Sequence, residues 1–159
     1  MKALFEELSN VLAKGEEAVL VTIIASSGST PRGTGSRMLV RQDGSIKGTV
    51  GGGAVEYQAI LTAMEAMEHK ASYTKGFTLN RNQVADIGMV CGGNVVVYFQ
   101  YIRPDDGDFA GLCTKVREAL GRDEDSWLLL DISDETCWQM GLYSKSKGLL
   151  GMDMPGQAL

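Results

Sequence analysis

The spacing of hydrophobic residues changes period several times along the chain, and each change marks an element. Leu4, Phe5, Leu8, Val11 and Leu12 recur every three or four positions, which predicts an amphipathic helix stopped by Gly15. Residues 18–25 are apolar everywhere except Thr22 and predict a strand buried on both faces, as in a sheet covered by helices. The polar stretch 26–36 cannot hold a core and is too long for a simple hairpin turn. Loops of that kind inside compact domains are often functional. Strands over Arg37–Arg41 and 46–50 flank Gln42-Asp43-Gly44-Ser45, where Asp-Gly is a strong hairpin signal. The second strand runs into Gly51-Gly52-Gly53, and Val55, Ala59, Ala63, Met64 and Met67 then form the apolar face of a helix over 54–69.

Residues 73–79 read as a strand, 80–93 as a second long loop, and Asn94–Ile102 as a strongly apolar strand. After a turn at 104–108, Phe109, Leu112, Cys113, Val116 and Leu120 line one face of another helix. Strands over 127–132 and 136–143 follow, joined through Asp134-Glu135; the glycines from Gly148 to Gly156 mark a tail, whose end, 151–159, reads as the frayed stub of a linker. Helices interleaved with hairpin and crossover connections predict an α/β fold: a single domain with a mixed sheet and helices packed on it. Its expected extent is residues 1–150, with 151–159 as a C-terminal tail.

A length of 159 residues suits one domain with a real hydrophobic core. No apolar run approaches the roughly 18 residues of a membrane helix. Glu6 and Glu7 interrupt the start of the chain where a signal peptide would be apolar. A cytoplasmic protein without membrane association is therefore expected. The net charge of −5 disfavours nucleic acid and anionic membranes. Arg32, Arg37, Arg41 and Lys47 nevertheless gather in a stretch whose one acid is Asp43. That island fits a small anionic ligand as well as it fits a solvated hairpin face. Cys91, Cys113 and Cys137 are widely scattered and His69 is the one histidine, so a structural zinc site has no ligand set at the usual spacing. His69 stands at the end of a helical pattern, where it complements the helix dipole.

Three segments could carry chemistry. At Gly51-Gly52-Gly53 a strand enters and a helix leaves. Glycines permit positive φ and close approach of a ligand, while the helix start offers free N–H groups and the positive end of its dipole. A tight turn needs only one or two glycines, so three exceed the structural need. Neither a P-loop nor a complete dinucleotide fingerprint is present, because no Gly-Lys-Ser/Thr follows and Glu56 stands at the third glycine position. The second segment, residues 27–37, combines hydroxyls and glycine amides with Arg32 and Arg37, whose planar forks suit an oxyanion. In the third, Cys91 beside Gly92 and Gly93 is poorly screened by its neighbours, and a thiolate there could ligate a molybdenum-type metal or carry sulfur. Cys113 lies on an apolar helix face and reads as core.

Taken together, residues 27–32, 35–40, Asp43-Gly44, 48–53 and Cys91-Gly92-Gly93 resemble, in order and spacing, the XdhC/CoxI family of maturation factors for xanthine dehydrogenase and carbon monoxide dehydrogenase. The resemblance covers roughly residues 15–102 and implies a cytoplasmic chaperone. Such a protein binds molybdenum cofactor (molybdopterin) transiently, supports its sulfuration and assists its insertion into a xanthine dehydrogenase-type molybdenum hydroxylase. Carried over onto this chain, the cofactor-binding residues are Arg32, Arg37, Gly51, Gly52, Gly53, Glu56, Cys91, Gly92 and Gly93, with Cys91 as the metal ligand and no catalytic residue. The implied partners are the apo molybdenum hydroxylase, a cysteine desulfurase, a separate Rossmann-domain protein and a second copy of the chain; nucleic acid and membrane are not among them.

The chain departs from the family pattern at Ala54, where members often carry a cysteine after the three glycines. A scheme with two thiols then has only Cys91. Many members also carry a C-terminal Rossmann domain, so the chain reads as a split member or as part of a longer one. A non-enzymatic assembly factor is the leading reading. The alternatives are a Cys91-dependent sulfur-transfer enzyme, a phosphate-ester enzyme using the glycine turns, and a scaffold subunit of a dehydrogenase complex.

Overall fold

The protein is described from a computed structural model that covers residues 1–28, 30, 32–78, 93–122, 124–134 and 138–152. It divides into two compact units: residues 11–105, and residues 1–10 together with 106–159. Helix α1 (Lys2–Ala13) begins in the second of these and ends in the first.

The unit of residues 11–105 is built on five strands, β1 (Ala18–Ser27), β2 (Arg37–Arg41), β3 (Ile46–Gly48), β4 (Tyr73–Thr78) and β5 (Asn94–Ile102), in the order β3-β2-β1-β5-β4. The α/β class with a helix packed on the sheet is as expected, but the sheet is not mixed: each of its pairings is antiparallel. The reason lies in the connection made by α2 (Gly53–His69). It joins β3 to β4, which run in the same direction, as a strand-helix-strand pattern suggests. These two strands lie on opposite edges, however, with three strands between them. Strand β3 ends at Gly48, two residues before the expected end, and β1 continues to Ser27.

Helix α2 lays Val55, Ala59, Ala63, Ala66 and Met67 on one face of the sheet, against Val19, Val21, Ile23, Met38, Val40, Val97 and Phe99. Its inward alanines let the helix axis sit close to the strands. Phe99 is fully buried with Tyr73 and Phe77 beside it, at ring separations of 5.8 and 6.3 Å. A side chain of that size contributes about 2–3 kcal/mol when removed from water. Strand β1 is buried on both faces from Ala18 to Ile23, as its unbroken apolar run requires. The end of α2 is fixed by Lys70, in the left-handed conformation at φ 54°, whose side chain pairs with Glu17. Glu17 also accepts the Tyr101 hydroxyl at 2.7 Å.

In the other unit, α3 (Gly107–Leu120) starts at Asp106, whose carboxylate accepts the Phe109 N–H at 3.0 Å. It buries Phe109, Leu112, Cys113, Val116 and Ala119 and lies against a three-stranded sheet. Leu120, expected inward, is partly exposed, and Ala119 takes the inward position in the last turn. The strands are β6 (Ser126–Asp131), β7 (Gln139–Ser144) and β8 (Gly148–Leu150), all antiparallel. The tail reading of the late glycines is corrected in part, since Gly148–Leu150 pairs with β7 as a third strand. Among the described residues no helix is long and apolar enough to cross a membrane.

Candidate functional site

The strand register brings the sequence-predicted segments to one end of the five-stranded sheet. Thr22 pairs with Arg37, Met38 with Gly48, and Asn94 with both Ser27 and Thr78. The polar loop after β1, the glycine turn after β3 and Gly93 before β5 therefore all leave from that end. The loop is tied back to the strand by two bonds: the Ile23 N–H reaches the Ser36 carbonyl at 3.0 Å, and the Gly35 N–H reaches the Ile23 carbonyl at 2.8 Å. The β1–β5 ladder shifts register between Ile23 and Ala25, where the polar residues begin. Bulges of this kind re-aim a strand and are common beside functional sites.

In the glycine turn, Gly51, Gly52 and Gly53 have φ of 129°, 75° and 59°. A Cβ on Gly52 would meet nothing within 4 Å, so backbone conformation rather than crowding requires glycine there. Thr49 and Glu56 close the turn from within. The Thr49 hydroxyl donates to Glu56 Oε2 at 2.6 Å and accepts the Gly51 N–H at 3.0 Å, while Glu56 Oε2 also accepts the Gly52 N–H at 3.1 Å. Thus the protein supplies its own carboxylate to the positive end of α2. The next N–H groups, on Gly53, Ala54 and Val55, have no carbonyl one turn before them within the helix.

The basic island does not form one patch. Arg32 is exposed on the loop, and Arg41 lies at the hairpin end, bonded to Ser45 at 2.8 Å. Lys47 is exposed on the edge strand. Arg37 differs from all three. Its Nη1 donates to the Gly35 carbonyl at 3.0 Å, its Nε is buried without a partner, and burial pushes the guanidinium below the ordinary arginine range. Thr22, its cross-strand neighbour, is 2% exposed and its hydroxyl also lacks a partner. Sequence reasoning missed the roles of Thr22 and Thr49. Thr22 had a signal, being the one polar residue in the apolar run of β1.

Cys91 and Gly92 lie outside the described residues, as does Cys137; Gly93 is buried just before β5. Cys113 is in the core and its thiol is pushed up to about 12 by burial, in keeping with a structural role. His69 stands in the last turn of α2. Among the described residues no three His, Cys, Asp or Glu side chains gather to hold a metal ion. A cavity of about 530 Å³ opens at the other end of the sheet, but Glu17, Glu65 and Glu68 in its lining make it a poor seat for an anion.

Residues 11–77, which contain β1, the polar loop, β2, β3, the glycine turn and α2, match the model of the XdhC and CoxI family. Over these residues the chain is similar to that family. Two proteins of Escherichia coli strain K12 are similar to it. The uncharacterized protein YqeB is 35% identical over 95 residues, 60% of this chain and 17% of that one. The molybdenum cofactor insertion chaperone PaoD is 34% identical over 96 residues, 58% of this chain and 29% of that one. The chain therefore spans less than a third of either relative. A crystal structure described as a xanthine dehydrogenase of Bacillus halodurans superposes on 97% of this chain with a TM-score of 0.71. At 20% identity and 46% coverage of that protein, it establishes likeness of fold.

Proposed function

We propose that the protein is a maturation factor that binds molybdenum cofactor and assists its insertion into a molybdenum hydroxylase of the xanthine dehydrogenase type. Support comes from the family match over the loop, turn and helix, and from the relative PaoD, a molybdenum cofactor insertion chaperone. The observation that carries the reading is that the polar loop, the glycine turn and Arg37, whose buried Nε has no partner among the described residues, lie at one end of the sheet. The cofactor bears a phosphate, and such a group fits this donor set: Arg37 and Arg32 are cations, and the start of α2 offers backbone N–H groups. When bound, the cofactor would supply a molybdenum centre with a dithiolene. The chain itself would hold the anionic portion through Arg37, Arg32 and the turn of Gly51–Gly53. Glu56 would keep the turn folded, and Cys91-Gly92-Gly93 would provide the thiol side.

Within this reading, binding is transient, Cys91 is the metal-facing thiol, and residues 1–150 form the family's N-terminal domain, followed by the tail 151–159. The protein acts in the cytoplasm as a homodimer, alongside the apo hydroxylase, a cysteine desulfurase that supports sulfuration, and a separate Rossmann-domain partner.

The test mixes the purified protein with released molybdenum cofactor, passes it through gel filtration and assays the protein peak for molybdenum and pterin fluorescence. Co-elution with the wild type, diminished by Arg37→Ala and by Cys91→Ser, is expected. No retention by the wild type sinks the chaperone reading, and undiminished retention by both variants sinks the site assignment.

A further inference from the structure

Among the described residues three buried side-chain polar atoms have no hydrogen-bond partner: Thr22 Oγ1, Arg37 Nε and Gln100 Oε1. The register places all three on one face of the sheet. Thr22 pairs with Arg37 on one side and Tyr98 on the other, and Gln100 pairs with Leu20 in the adjacent row of that face. Residues paired across an antiparallel ladder point the same way. Helix α2 covers the opposite face, so these atoms are no part of the core beneath it.

From this we infer that Arg37 and Thr22 form the seat of a tetrahedral oxyanion, the phosphate end of the bound ligand. The inference rests on the anionic-cofactor reading above and deepens it by assigning one end of the ligand to named side chains. Native proteins satisfy nearly all buried polar groups, and those left over call for a missing partner. Here the leftover atoms are a hydroxyl and a guanidinium N–H on directly paired residues, and neither bonds the other. The Gly35 carbonyl occupies Arg37 Nη1, and Nε on the other edge of the fork stays without a partner. That edge offers two parallel N–H donors, the geometry that suits phosphate.

Among the described residues no carboxylate pairs with this arginine. No Asp or Glu occurs between Glu17 and Asp43, and Glu56, the acid of the glycine turn, is held by Thr49 and Gly52. Gln100 stands one row farther in, and its amide offers an N–H₂ in place of the oxygen by a half-turn.

Inorganic phosphate is the first probe, added to the full chain at ionic strength matched with chloride while thermal unfolding is followed. Phosphate should raise the unfolding midpoint of the wild type. Thr22→Val, which keeps the shape but removes the hydroxyl, and Arg37→Lys, which keeps the charge but removes the fork, should each weaken the apparent affinity about tenfold. Without phosphate, Thr22→Val should be at least as stable as the wild type, because it removes an unsatisfied buried group. A variant that simply failed to fold would not give that result. A second arm compares a pterin bearing a phosphate monoester with the same pterin dephosphorylated. Preference for the phosphorylated pterin over inorganic phosphate assigns the seat to the cofactor; equal binding assigns it to the free anion. No phosphate response in the wild type, or equal responses in all three proteins, overturns the seat. Cofactor retention without a phosphate response would overturn the seat alone, and the reverse would overturn the cofactor reading alone.

Discussion

Glu56 reaches back from the first turn of α2 to accept the Gly52 N–H at 3.1 Å, so the helix is capped by a carboxylate of its own four residues on. The same oxygen takes the Thr49 hydroxyl at 2.6 Å, which couples the end of the β2–β3 hairpin to the helix start. Glu56→Ala removes both bonds and the favourable charge at the positive end of the helix. A loss of about 1–2 kcal/mol in urea unfolding is expected, by analogy with the removal of helix caps. Glu56→Gln keeps an acceptor and should lose about half as much. Equal stability of wild type and Ala variant would remove Glu56 from this role.

Gly52 has φ 75° and ψ −179°, a region open to almost no other residue, yet a Cβ there would have nothing within 4 Å. Gly52→Ala should therefore cost about 1–3 kcal/mol through backbone strain alone. Introducing D-alanine by chemical ligation, which suits positive φ, should restore wild-type stability. A D-alanine protein as unstable as the L form would point to crowding or lost flexibility instead.

The far end of α2 carries a pH-dependent tie. Burial alone would raise the Glu17 carboxyl, but hydrogen bonds from Lys70 and Tyr101 and the Lys70 charge together outweigh it and hold the group below its ordinary 4.5. A depressed carboxyl stabilises the fold above its unfolded pKa, and that contribution is lost as pH falls through the folded value. Stability should thus fall more steeply below about pH 5 in the wild type than in Glu17→Gln. Lys70, raised chiefly by its bond to Glu17, contributes below its ordinary 10.5 and loses that contribution only as pH rises through the higher folded value. Urea midpoints across pH 3–7 in the two proteins measure the acid limb, and parallel curves would exclude the tie as a contributor.

Local chemistry was legible in the sequence where neighbouring residues decide it. The two-sided burial of β1 followed from its unbroken apolar run, and the β2–β3 turn from Asp43-Gly44, where Asp43 accepts the Ser45 N–H at 2.9 Å. The inward face of α2 was legible from the spacing of Val55, Ala59, Ala63 and Met67. The strand order was not, because the pairing of β1 with β5 joins residues far apart in sequence and leaves no local trace. That pairing inserts the central strands between β3 and β4 and makes the sheet antiparallel. Glu56 was legible as an acid in a glycine turn but not as its internal cap, since the usual pattern has a hydroxyl residue three positions before the acid and the chain has Gly53 there. Arg37 stood out together with Arg32 for its planar fork, but nothing in the sequence set the two apart. The isolation of Arg37 from Arg41 and Lys47 depends on which end of β2 it occupies and on the burial of its Nε.

Thiol chemistry offers the last prediction. Cys113 sits fully buried on α3 between Leu112 and the inward turn of Val116, and burial pushes its thiol up to about 12. The thiolate is the reactive form, and at pH 8 a thiol of that pKa is almost entirely protonated. In a protein carrying Cys91→Ser and Cys137→Ser, Cys113 should therefore show no reaction with Ellman's reagent until denaturant is added, and then react with one equivalent. With Cys91 restored, the thiol proposed to face the cofactor should react in the folded protein, since only an accessible sulfur can serve a transiently bound metal. Rapid labelling of the double variant in native buffer would mean that α3 opens readily; labelling of neither protein would leave Cys91 without the access that its role demands.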